Sequence, residues 1–84
     1  MPLPSQPVTL TVEQIGELNR QLSTMRHDIN NQLSLIVAAL ELIRHKPDTA
    51  ERMITTLGEQ PPRIAEAITK FSALFERTLS ITRR

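Results

Sequence analysis

The chain has 84 residues, two phenylalanines (Phe71 and Phe75), and no cysteine, tryptophan or tyrosine. That length holds one domain, and one so small buries only about 60% of the surface its unfolded form exposes. No disulfide or thiolate metal site is possible, and ten Lys or Arg against nine Asp or Glu leave a formal charge of +1.

These numbers exclude several classes of function. The basic stripe and stacking aromatics of a nucleic-acid binder are missing. The longest apolar run, Leu35 to Leu40, has six residues, far short of the ~20 a membrane span needs. Met1-Pro2-Leu3-Pro4 has neither the basic start nor the apolar core of an export signal, so a cytoplasmic location is expected. His27 and His45 stand 18 apart, which is not the spacing of a His-rich metal cluster. A small domain without staple or metal needs a partner chain.

Residues 1–10 hold Pro2, Pro4 and Pro7 and read as a flexible, extended arm. Thr11-Val12-Glu13-Gln14 has the form of a capping box and opens a first helix over about 11–45. Within it Ile15, Leu22, Ile29, Ile36 and Ile43 recur every seven residues. Leu18 and Met25 occupy the position three after, and Leu33 and Leu40 the position four after. That drift is the mark of a helix keeping 3.6 residues per turn, which favours a bundle over a long coiled coil. Arg44-His45-Lys46 suit a helix C-terminus, and Pro47 stops the helix.

Asp48-Thr49-Ala50-Glu51 is a second cap signature, so a second helix is expected over about 48–80. Its stripe is Ala50, Ile54, Leu57, Pro61, Ile64, Ile68, Phe71 and Phe75. Gly58 and Pro61-Pro62 interrupt it. Because the stripe keeps its phase, residues 58–62 read as a kink; two helices, with Pro61 opening the latter, is the alternative. Met25, Met53, Phe71 and Phe75 read as core. The expected architecture over 11–82 is an all-α, two-helix antiparallel hairpin. One hairpin leaves much of two apolar stripes in water, so two copies are expected to form a homodimeric four-helix bundle.

Midway along the first helix stands Arg26-His27-Asp28-Ile29-Asn30-Asn31. The helical neighbours of His27 are Ser23, Thr24, Asn30 and Asn31. Ile29 and Leu22 point about 160° and about 140° away, so His27 faces solvent. Asp28 can take a hydrogen from one imidazole nitrogen and leave the other as a nucleophile. Asn31, one turn on, can orient a water or contact a phosphoryl oxygen. A nucleophile, a carboxylate and an amide on one exposed face suit phosphoryl transfer, where positioning does most of the catalysis. The alternative for His27 alone is an ordinary surface histidine. Ser34 and Ala38 continue this face as a small, uncharged strip that could receive a partner. His45 is explained by its place at a helix end.

His27-Asp28-Ile29-Asn30-Asn31-Gln32-Leu33 resembles the H-box of the dimerisation and histidine-phosphotransfer domain of bacterial sensor histidine kinases. The similarity extends over roughly residues 11–80 in helix lengths and in the place of the histidine. It implies His27 as phospho-acceptor, Asp28 as general base and Asn31 as the position serving phosphate removal. Gln32 stands where many members carry a proline. Neither glycine, Gly16 nor Gly58, lies in a phosphate loop, so no cofactor is expected in this chain and ATP-Mg would belong to a separate kinase domain. The expected partners are a second copy of the chain, plus a response-regulator receiver domain, a kinase ATP-binding domain, or both. The expected function is a phosphorelay module. Two alternatives stand beside it: a phospho-acceptor domain excised from a full sensor kinase, and a non-catalytic dimeric adaptor or modulator, for which His27 would be dispensable.

Overall fold

A computed structural model describes residue 4 and residues 6–79. The arm's residues 1–3 and 5 lie outside the described residues, as do 80–84 with Arg83 and Arg84. Among the described residues there are two long helices and no strand: α1 (Val12–His45), a single 3-10 turn (Pro47–Thr49) and α2 (Ala50–Thr78).

The capping box forms as the residue types dictate. The Gln14 amide donates to the Thr11 hydroxyl at 3.1 Å, and the Thr11 amide donates to Gln14 Oε1 at 2.9 Å. Two of the four amides orphaned at a helix start are thereby satisfied. At the other end the Lys46 amide still donates to Leu42 O at 2.7 Å, and Pro47, lacking an amide proton, stops the ladder.

The entry to α2 differs from the cap expected at Asp48-Thr49. Neither residue caps α2 with its side chain. The Thr49 hydroxyl instead donates back to Lys46 O at 2.7 Å, as the Thr49 amide does at 2.9 Å. Thr49 already has right-handed helical torsions, with φ −87° and ψ −4°. A capping residue needs extended torsions, so the 3-10 turn takes the place of a side-chain cap.

α2 runs unbroken through Pro61 and Pro62. Each proline removes one amide donor, leaving the carbonyls of Leu57 and Gly58 without their helical partners. Just before them Gln60, 2% exposed, donates its side-chain amide to Thr56 O at 2.8 Å.

The molecule is elongated, 57 × 28 × 12 Å, and the long axis is close to the ~51 Å of a 34-residue helix. α1 and α2 touch along their length. Gln21, Thr24, Met25 and Asp28 share a depression with Ala67, Lys70 and Phe71. The rings of Phe71 and Phe75 lie 6.1 Å apart, tilted by 38°.

The apolar stripes are only partly covered. Leu18, Leu22, Met25, Ile29, Ile36 and Ile43 of α1 are half-buried, as are Leu57, Ile64, Phe71 and Phe75 of α2. Ile15, Leu33 and Leu40 remain 54%, 49% or 48% exposed in the order Ile15, Leu40, Leu33, and Ile54 and Ile68 remain 63% and 46% exposed. Ala39 is the one fully buried apolar side chain among the described residues. Each helix therefore has an inner apolar edge covered by the other helix and an outer edge left bare.

Candidate functional site

α1 carries the candidate site near its middle, where the helix is continuous and no proline or glycine disturbs it. His27 projects from the face opposite the apolar stripe, and its side chain is 78% exposed. Its Nδ1 lies 3.7 Å from Asp28 Oδ1, in ion-pair range. That separation is longer than a hydrogen bond, so the carboxylate stands beside the Nδ1 side of the ring without being bonded to it. Ser23, Thr24, Asn30 and Asn31 are exposed around it.

Asp28, 52% exposed, stands between two environments. One side meets His27. The other borders a cleft against α2, lined by Gln32, Arg63, Glu66, Ala67 and Lys70. Gln32 is half-buried, and its Oε1 is enclosed without a hydrogen-bond donor among the described residues. Asn31 is exposed one turn beyond His27. Ser34 and Ala38 are exposed and line a shallow depression with Asn30, Leu33 and Val37. His27, Asp28 and Asn31 are thus exposed within one turn of each other, and Ser34 and Ala38 lie about 10 Å and about 16 Å further along the helix than His27.

His45 provides an internal contrast. Its side chain is nearly as exposed, at 73%, but it is Nε2 that approaches a carboxylate, Glu41 Oε2, at 3.4 Å. Glu41 also accepts from Arg44 at 3.2 Å. His45 lies 18 residues along α1 from His27, about 27 Å at 1.5 Å per residue, so the two histidines act apart.

Near the start of α1, the Arg20 guanidinium and then the Gln21 amide bond Glu17 and hold its carboxyl below the ordinary glutamate range. Among the described residues no group of three or more His, Asp or Glu side chains could hold a metal ion, and no helix is long and apolar enough to cross a membrane. No family model, curated protein or solved structure matches the chain.

Arg26 adjoins His27 in the chain. Arg26 is exposed beside His27 and makes no ion pair among the described residues. Its adjacency to His27 and the lack of an acidic residue three or four positions away were the available signals.

Proposed function

We propose that this chain is a phosphorelay module in which His27 accepts a phosphoryl group and passes it to a partner protein. The observation that carries the reading is the exposed His27–Asp28 pair, with Nδ1 3.7 Å from the carboxylate and the imidazole side chain 78% exposed. In the proposed step the Nε2 lone pair attacks phosphorus, and the bond from phosphorus to the donor's leaving atom breaks. Asp28 stabilises the imidazolium that forms by holding the Nδ1 proton. Asn31 is the amide placed to contact a phosphoryl oxygen or orient a water. Ser34 and Ala38 offer partner contact without charge or bulk.

The fold belongs to the same proposal. The two helices form an antiparallel hairpin, and two hairpins pair into a four-helix bundle. The bare outer edges at Ile15, Leu33, Leu40, Ile54 and Ile68 support this, since pairing removes them from water. Such a bundle leaves His27 outside, on the face opposite the stripe. The donor, a kinase ATP-binding domain with ATP-Mg or a phospho-aspartyl receiver domain, is a separate component.

The test is phosphoryl transfer in trans. The chain is mixed with a phosphorylated receiver domain or an active kinase domain from the same cell, and label is mapped by peptide. Acid-labile phosphate on His27, lost in His27→Ala with helix content retained, is the expected result. No label with any such partner would refute it.

A further inference from the structure

The helix surface around His27 holds one cation whose place the fold does not otherwise explain. α1 contains three arginines. Arg20 is held by Glu17, and Arg44 by Glu41. Among the described residues Arg26 makes no ion pair, and it is exposed. At 100° per residue it lies about 20° from Leu33 and about 40° from Leu22, on the border of the apolar edge. A charged group is out of place among apolar neighbours unless its head reaches water or a partner. The aliphatic stem of an arginine can cover such a border while its guanidinium turns to the polar side. The polar side here is Ser23 and Asn30, about 60° and about 40° from Arg26, with His27 just beyond.

We infer that Arg26 is a phosphoryl-binding residue of the His27 site, an inference that rests on the phosphorelay reading above. A phosphoryl group on Nε2 presents three oxygens and close to two negative charges. A guanidinium bonds such oxygens in bidentate fashion, and a charge-assisted pair is about twice as strong as a neutral one. Asp28 stands at Nδ1 and cannot serve the oxygens, because it carries their sign. Asn31 supplies only a neutral amide. Arg26 is the only Lys or Arg between Ser23 and Asn31, within one turn of His27 on either side; Arg63 and Lys70 of α2 stand in the cleft with Asp28.

The probe is phosphoramidate, a small donor that needs no protein partner. His27 Nε2 attacks its phosphorus, an N–P bond forms, and the donor's P–N bond breaks with its electron pair. The nitrogen, protonated in the donor, leaves as ammonia. The phosphoryl-imidazolium keeps its Nδ1 proton toward Asp28. The experiment follows label at His27 and His45 in the full chain, for the native sequence, Arg26→Gln and Arg26→Lys. His45 serves as the internal reference.

The expected result is a roughly tenfold or greater fall in the His27 rate for Arg26→Gln, with His45 unchanged. Arg26→Lys keeps the charge but loses the fork, so an intermediate rate is expected. Added guanidinium ion is expected to restore part of the Arg26→Gln rate. Equal His27 rates in the native chain and Arg26→Gln would overturn the inference while leaving the phosphorelay reading standing. An equal fall at both histidines, or loss of helical circular dichroism, would assign Arg26 a structural role and also overturn it. No label at His27 in the native chain would overturn the phosphorelay reading, and this inference with it.

Discussion

Ile54→Asp isolates the claim that a second copy covers the bare apolar edge. Ile54 is 63% exposed, so about a third of its surface is already covered within one chain. Fully burying an isoleucine is worth about 1.5–3 kcal/mol. The share still in water therefore amounts to about 1–2 kcal/mol. A symmetric dimer contains the residue twice, so the substitution removes about 2–4 kcal/mol of association free energy. At 1.4 kcal/mol per factor of ten, that is about 30- to 700-fold in Kd, and an unpaired carboxylate at the interface adds to the loss. Sedimentation velocity across a concentration series reads the change, with circular dichroism at 222 nm alongside. The expected outcome is a native dimer that Ile54→Asp shifts to monomer with most of its helix retained. A native chain that stays monomeric at high concentration, or an Ile54→Asp chain as dimeric as the native one, would refute the reasoning.

Other perturbations probe single elements. Gly58→Ala adds a methyl group that meets nothing within 4 Å, so it should gain about 0.5–1 kcal/mol in helix propensity; a rise of a few degrees in Tm is the expected reading, and a fall would mean the site is more crowded than described. Thr11→Ala removes one half of the capping box and should cost about 1 kcal/mol, seen as a lower Tm and faster amide exchange in the first turn of α1. Glu17 is expected to titrate below the ordinary glutamate value, and Arg20→Ala should erase most of the difference. Because its native value is depressed, its contribution is fully present above the unfolded value and is lost as pH falls through the native one; carboxyl NMR checks this, and an unchanged midpoint in Arg20→Ala would contradict it. Asp28→Asn should keep the fold and slow phosphoryl uptake at His27 by about 10²- to 10⁴-fold, measured as initial rate; an unaltered rate would remove Asp28 from the mechanism.

Much of the helical frame was legible because it rests on local chemistry. Thr11 and Gln14 specify their own reciprocal bonds, and Pro47 cannot extend a hydrogen-bond ladder. The exposure of His27 followed from its polar neighbours at three and four positions. Asp48-Thr49 misled because a cap motif fixes residue types but not torsions, and the 3-10 turn had already set Thr49 to a helical conformation. Gln60 escaped notice for a different reason. An apolar stripe is read from apolar letters, so a glutamine on the inner edge that bonds Thr56 O within its own helix leaves no trace in the pattern. The same limit applies to the outer edges. Periodicity at Ile15, Leu33 and Leu40 marks an apolar face without saying which surface covers it. Arg26 stands beside His27 with no acidic residue three or four positions away, so its lack of a partner on its own helix was legible, and only the lack of one on α2 among the described residues needed three dimensions.

The most direct test compares the two histidines of one molecule under phosphoramidate. Their exposures are 78% for His27 and 73% for His45, so access alone predicts near-equal labelling. They differ in which ring nitrogen faces a carboxylate: Nδ1 of His27 toward Asp28, Nε2 of His45 toward Glu41. If the His27–Asp28 pair is built for phosphoryl transfer, acid-labile label should accumulate at His27 well ahead of His45. Equal labelling of the two, or label at His45 alone, would contradict it.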